Sequence, residues 1–303
     1  MHRRSIGGTA VHPIGLGAMP LSVEGRPTEE DAVAVVHAAL DAGVTLIDTA
    51  DSYHWHAGER GHNERLIARA LARRAGDRDR VLVATKGGRG RPGDGSWTVD
   101  GRPEHLRRAC EESLRRLGTG AIGLYQLHKP DPQVPWAESV GALRELLNAG
   151  KIRAAGISNA DAAQIREAHA ILGAGLVSVQ NRYSPADRSA EPELRLCEQL
   201  GLAFLPWSPL GGISRSSLDG PSAPDPSGAG PADTPFHRVA AARGVSPQRI
   251  CLAWLLALSP VVVPIPGASR PASVRDSAAA AGTVLEPAEL ALLPAPPHAG
   301  MPA

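Results

Sequence analysis

TLIDTADSY, residues 45–53, decides the fold: a short β-favouring run closes on a carboxylate, Asp48, and a tyrosine, Tyr53, follows five positions later. Runs of this length, rich in β-branched residues and flanked by amphipathic stretches, read as buried strands. The same pattern returns in VLVATK, residues 81–86, which closes on Lys86, and in IGLYQLH, residues 122–128, which closes on His128. Five further runs, at 14–17, 154–158, 177–180, 204–207 and 261–266, extend the series to eight.

Helical stretches with readable starts lie between these strands. Thr28 precedes three acidic residues, Pro103 and Glu104 open a run to Leu117, Asp161 follows Ser158-Asn159-Ala160, and Ser246 stands as N-cap before a first-turn Pro247. Helices are also expected at 28–41, 63–74, 136–148, 191–200 and 273–280. Eight βα pairs in a chain of 303 residues predict an α/β fold, a (β/α)8 TIM barrel that occupies residues 1–303 as a single domain. A doubly wound open sheet is the rival, but no GxGxxG follows the first strand. Residues 3–12, with Gly7-Gly8 at their middle, read as a β-hairpin placed to cap the barrel floor.

With 43% hydrophobic and 21% charged residues, the chain can bury a large core, and a formal net charge of +1 gives no electrostatic case for nucleic acid or an anionic membrane. The longest apolar run, 250–258, is too short to span a bilayer, and the two arginines near the start are followed by no apolar stretch. A soluble, cytoplasmic protein is expected. Cys110, Cys197 and Cys251 are odd in number and widely spaced, which fits reduced core thiols.

Scarcity singles out Lys86. Of 32 basic residues only Lys86, Lys129 and Lys151 are lysines. An ammonium can tune a neighbouring acid in a way that a permanently charged guanidinium cannot. In a barrel the active site forms at the C-terminal ends of the strands, so Asp48, Lys86 and His128, closing strands two to four, converge with Tyr53 on one mouth. Tyrosine, with an ordinary pKa near 10, suits donation of a proton to a nascent alkoxide. Lys86 is expected to lower that value, Asp48 to hold the lysine by ion pairing, and His128 to orient the substrate oxygen as a neutral donor. Taken singly, each has a plainer reading: a helix-entry cap, a rim aromatic, a solvated strand end and a satisfied core histidine.

GLGAMP at the first strand, DTADSY, HNERLI, the ATK strand end, SLRRLG, LYQLH, GKIRAAGISN, VQNRYSP, PWSPLGGI and IPGAS stand in one order along almost the full length. In this the chain resembles the aldo/keto reductase superfamily. The resemblance implies a barrel, NADPH or NADH bound without a Rossmann domain, and reversible carbonyl reduction. Position by position, Asp48, Tyr53, Lys86 and His128 match the family's catalytic tetrad. It also assigns Ser158, Asn159 and Gln180 to the nicotinamide carboxamide, Trp207 to stacking on the nicotinamide ring, and Ser208 and Leu210 to the diphosphate loop. The segment containing Gly267, Ser269 and Arg270 opens the last helix, where backbone amides and the helix dipole favour a phosphate; Arg270 is the candidate for the adenosine 2′-phosphate. The chain departs from the family at Ser277, beside Asp276, where the family often has Asn.

Residues 211–235 form a tract in which 15 of 25 are Gly, Pro or Ser, placed directly after strand seven. It reads either as a flexible lid over the cofactor or as a plain surface loop. His54-Trp55-His56 raises a metal-dependent barrel hydrolase as a remote alternative, although no third and fourth ligands follow at strand ends. No metal is therefore expected. A cofactor-binding regulatory subunit without turnover is a further alternative. The expected substrate is a small carbonyl compound, apolar or aromatic, with Trp55, Trp97 and Trp136 near its pocket.

Overall fold

Alternation along the strands separates a lumen from an outer layer in the computed structural model, which describes residues 3–214 and 234–294. Leu46, Ala84 and Leu124 face the lumen, where they meet Val177, Leu205, Val263 and Ile265. Ile47, Tyr125 and Leu127 face outward, into the apolar layers beneath the helices. Two positions on from the lumen-facing Leu46, Ala84 and Leu124 stand Asp48, Lys86 and Gln126, so the apolar plug gives way to a polar layer at the mouth.

The elements run in chain order as β1 (Arg4–Ile6), β2 (Thr9–Val11), β3 (Leu16–Gly17), α1 (Glu29–Asp41), β4 (Leu46–Asp48), α2 (His62–Ala72), α3 (Ala75–Arg78) and β5 (Leu82–Gly87). There follow β6 (Arg89–Gly90), β7 (Thr98–Val99), α4 (Pro103–Leu117), β8 (Leu124–Leu127), α5 (Trp136–Asn148), β9 (Ala155–Ser158), α6 (Ala162–Leu172) and β10 (Leu176–Gln180). The last are α7 (Glu191–Leu200), β11 (Ala203–Phe204), α8 (Pro235–Arg243), α9 (Pro247–Leu258), α10 (Pro271–Ala279) and α11 (Pro287–Leu290). Seven parallel strands form one curled sheet in the order β11-β10-β9-β8-β5-β4-β3.

The eighth strand expected at 261–266 closes the barrel, but as a bridging segment rather than a regular ladder. Phe204 pairs with Val262 on one side and Gly17 with Gly267 on the other. Pro264 and Pro266 explain the irregularity, since neither has an N–H to give. Their carbonyls still accept from Gly15 and Gly17, at 2.9 and 3.0 Å, while the amides of Val263 and Ile265 reach Phe204 and Pro206 on the opposite side. Gly17 is required here: a Cβ would lie 2.6 Å from the Ile265 carbonyl oxygen. The fold is thus a (β/α)8 barrel.

β1 and β2 pair antiparallel across the Gly7-Gly8 turn, and Ile6 and Val11 join the lumen residues from the floor. Both turn glycines have positive φ, 54° and 82°, as a two-residue hairpin of the favoured hand needs. The helix starts follow the sequence reading: Thr28 accepts from the Asp31 amide, Ser246 from the Arg249 amide, and Asp161 forms a capping box with Gln164. α8 and the β6–β7 hairpin were not anticipated. The proposed lid falls on residues 211–235, of which 215–233 lie outside the described residues. No helix among the described residues is long and apolar enough to cross a membrane.

Candidate active site

Lys86 projects from β5 into the polar layer, fully buried, and all three of its protons are placed. Nζ donates to Asp48 Oδ2 at 2.5 Å, to the Thr49 carbonyl at 2.9 Å and to the Tyr53 hydroxyl oxygen at 3.0 Å. Asp48, the last residue of β4, takes two more bonds on Oδ1, from Gln180 Nε2 at 2.8 Å and Gln126 Nε2 at 3.2 Å. A buried carboxylate is tolerable when its lone pairs are matched in this way. Gln126 was not read from the sequence as part of the site; its place two residues after the lumen-facing Leu124, by the period of two, was the available signal.

Tyr53 sits in the loop after β4, and the start of α2 fixes that loop. Asn63 is fully buried, accepts from Thr49 Oγ1 at 2.5 Å, and donates to the Ala18 carbonyl and Ser22 Oγ. The Asn63 amide in turn reaches the Tyr53 carbonyl. This is why HNERLI follows the tyrosine so closely. His128, just past β8, meets the tyrosine edge to face, with ring centroids 5.7 Å apart, and Ser52 Oγ lies 3.4 Å from its Nδ1.

Burial and neighbouring charge set the protonation states. Burial works to lower the Lys86 pKa, but Asp48 and Tyr53 more than offset it, so the ammonium is held. Tyr53 was expected to be acidified by Lys86; instead its pKa is raised, because burial outweighs the pull of the lysine. Burial, followed by the charges of Lys86 and Arg89, drives His128 well below the ordinary histidine value, so its ring is neutral. Lys86 donates to the tyrosine oxygen, and no acceptor for the phenolic proton appears among the described residues. That proton is left to the cavity.

The cavity above these residues has a volume of about 260 Å³ and is lined by Asp48, Tyr53 and His128, with Lys86 beneath it. Ser158, Asn159, Gln180, Trp207, Ser208, Leu210, Gly267 and Ser269 all line it too. Ser158 donates to the Gln180 carbonyl at 2.8 Å; Asn159 donates to the His128 carbonyl at 3.0 Å and accepts from Trp207 Nε1 at 3.2 Å. Asn159 and Ser208 adopt left-handed backbone, φ 59° and 47°, a conformation that costs energy outside glycine and gathers at functional sites. Arg270 is not part of the lining. It stands exposed as the N-cap of α10, and Asp276 pairs with Arg249 at 2.7 Å instead of with Arg270.

Of the three tryptophans expected at the substrate pocket, only Trp97 lines the cavity. Trp55 stacks on His56 with centroids 4.9 Å apart, and Trp136 begins α5, donating to the Gln164 carbonyl. Strand-end position places a residue at the mouth but does not aim it inward, and here a loop histidine claims the ring of Trp55 and α6 that of Trp136. Arg89, which was not singled out, lines the cavity beside Trp97. His54 turns Nδ1 to the His56 carbonyl at 2.9 Å, and among the described residues no group of three or more His, Cys, Asp or Glu is placed to hold a metal.

Barrel, strand-end acid, amine and imidazole, and a loop tyrosine together define an oxidoreductase-type mouth. The chain belongs to the aldo/keto reductase family, whose model matches residues 13–295. It is 37% identical over 276 residues to a 6-dehydroglucose reductase of Novosphingobium aromaticivorans, covering 90% of this chain and 87% of that one. Among solved structures, the glycerol dehydrogenase of Gluconobacter oxydans superposes with a TM-score of 0.80 at 30% identity, covering 95% and 92% of the two chains. An aldo-keto reductase from Klebsiella pneumoniae in complex with NADPH gives 0.76 at 30% identity, with 98% of each chain covered.

Proposed function

We propose that the protein is an NADP(H)-dependent oxidoreductase that reduces an aldehyde or ketone to the alcohol, with Tyr53 as general acid. One observation carries the reading: a single buried ammonium, Lys86, bonds both to a fixed carboxylate and to the hydroxyl of a tyrosine that faces the cavity. When bound, the nicotinamide cofactor supplies the hydride. The chain supplies everything else. As negative charge builds on the substrate oxygen, Tyr53 gives up its proton, and the Lys86 ammonium 3.0 Å away stabilises the phenolate that remains. Asp48 keeps the ammonium in place and charged. Neutral His128 orients the substrate oxygen without competing for the proton.

The residues present suit the cofactor. Trp207 borders the cavity with its indole N–H already committed to Asn159, which fixes the ring for stacking on a nicotinamide. Asn159, Ser158 and Gln180 would hold the carboxamide, and Ser208 and Leu210 the diphosphate. Gly267 leaves no room for a side chain, since a Cβ would meet Pro20 Cγ at 2.8 Å, so the backbone there lies open to a phosphate together with Ser269. Arg270, exposed at the start of α10, carries no ion pair among the described residues and is available to a 2′-phosphate. The solved relative with NADPH supports that choice over NADH.

Tyr53→Phe tests the assignment. Carbonyl reduction, followed by NADPH absorbance over a panel of aldehydes, should fall by about a hundredfold or more while NADPH still binds. Turnover within threefold of wild type would remove Tyr53 from the chemistry.

A further inference from the structure

Among the described residues, Arg89 is the one cavity-lining residue whose charge the proposed proton transfer does not use. It begins β6, two residues past the end of the strand region that carries Lys86, and the β6–β7 hairpin pairs it with Val99. Its guanidinium carbon lies 4.4 Å from the Trp97 ring centroid, and Arg91 approaches the same ring at 4.7 Å. The two arginines differ in their partners. Arg91 donates to the His54 carbonyl at 2.7 Å and pairs with Glu24. Arg89 has no hydrogen bond and no ion pair among the described residues, and its Nε is buried without a partner.

Half-buried cations are ordinarily matched by a carboxylate, because desolvation without a partner is costly. Burial lowers the Arg89 pKa, and the nearby charge of Arg91 adds to this. The only acidic residue in the cavity lining among the described residues, Asp48, is already bonded to Lys86 and both glutamines. Stacking on Trp97 holds the guanidinium plane and leaves its N–H edge free, the geometry that favours bidentate recognition of a carboxylate or phosphate. Position around the barrel separates this group from the cofactor residues. Those come from the ends of strands five to eight, whereas Arg89 and Trp97 follow strand three, which lies between the strands that carry Tyr53 and His128.

Resting on the reductase reading, we infer that Arg89 selects carbonyl substrates that bear an anionic group, a carboxylate or a phosphate, set back from the reacting oxygen. This differs from the apolar or aromatic substrate expected from the sequence, and the probes below distinguish the two. Two matched pairs of probes test it: 4-oxobutanoate against butanal, and glyceraldehyde 3-phosphate against glyceraldehyde. The readout is the ratio of kcat/KM values within each pair, which cancels any common effect of a substitution on the proton donor. Wild type should favour the anionic member of at least one pair by about 10- to 100-fold. Which pair responds tells carboxylate from phosphate. Arg89→Met should bring the ratio to about one or below, and Arg89→Lys should leave it between the two, since the charge stays but the planar fork is lost. A ratio near one for both pairs in wild type, or a ratio unchanged in Arg89→Met, overturns the proposal. If no aldehyde is reduced, the reductase reading fails on its own. The anion site is then read by NMR titration with benzoate and benzyl alcohol: tighter benzoate binding by tenfold in wild type, abolished in Arg89→Met, sustains it, and equal binding overturns it.

Discussion

Thr85 and Lys86 are neighbours on one strand and face opposite sides of the barrel wall, and each meets a buried ion pair. Outward, Thr85 Oγ1 donates to Glu64 Oε1 at 2.6 Å, and Arg116 Nε holds the other carboxylate oxygen at 2.6 Å. Inward, Lys86 holds Asp48 at 2.5 Å. The two pairs are alike in burial, with side-chain exposures of 13% and 0% outside and 0% and 3% inside. They differ in where the remaining donors go. Arg116 directs its own to Glu112 and Ser113, groups of its own helix, while Lys86 directs one to a tyrosine that opens on a cavity. Burial of charge therefore marks both places, and the link to an exchangeable proton that opens on the cavity sets the inner one apart. It also accounts for the residue types: a guanidinium serves the outer joint, and the inner one keeps one of three lysines.

The sharpest way to break this contrast is Lys86→Arg. If the inner pair were only a joint, an arginine would serve; if it tunes Tyr53, carbonyl reduction should fall by about a thousandfold. Steady-state rates near wild type would put both pairs in one class. The converse substitution, Arg116→Met, leaves Glu64 buried without its cation. Urea unfolding should then show a loss of about 3 to 5 kcal/mol, with turnover per folded molecule kept within about twofold. A tenfold fall in turnover at unchanged stability would mean that the outer pair reaches the site.

A third carboxylate sharpens the comparison with the smallest effect. Asp51 is fully buried; Oδ2 accepts from Arg60 Nη2 at 2.5 Å, and Oδ1 has no partner. Burial pushes its pKa up to about 7, with Glu64 adding to the rise and Arg60, 38% exposed, opposing it without prevailing. Between about pH 4 and 7 the unfolded chain has lost this proton while the native state keeps it, so raising the pH favours unfolding. Asp51→Asn should remove that component, and the stability of the variant relative to wild type should climb by about 1 kcal/mol per pH unit across the window. Parallel curves would show Asp51 ionised throughout.

The strand ends were legible because a β-favouring run has a visible last residue, and in a barrel that residue is at the mouth. This rule placed Asp48, Lys86, His128, Ser158 and Gln180 at strand ends, while the scarcity of lysine singled out Lys86 and the family resemblance gave Ser158 and Gln180 their role. Capping residues Thr28, Asp161 and Ser246 were legible for an equally local reason. What escaped depends on contacts remote in sequence. Gln126 matters through Gln180 and Asp48 on two other strands, and Arg89 through the ring of Trp97 across a hairpin rich in glycine. The direction of the Tyr53 shift escaped too, since adjacency to Lys86 is visible in a motif and depth of burial is not. For Trp55 and Trp136, loop position placed them near the mouth, while their partners, His56 and Gln164, decided where the rings pointed.

A closed barrel has no edge, yet this one has a seam. Along the line where 261–267 meets β3, Pro264 and Pro266 accept hydrogen bonds from Gly15 and Gly17 and return none, so every bond across the joint runs in one direction. It is also the joint that brings the two ends of the barrel together, Gly17 with Gly267. In kinetic terms a contact this remote in sequence is expected to form late, and opening along this line breaks only the bonds that Gly15 and Gly17 give. Gly267 lies on the cavity wall at that same line. The proline seam of the barrel and the proposed phosphate cradle are one place, so whatever binds there also fastens the ring.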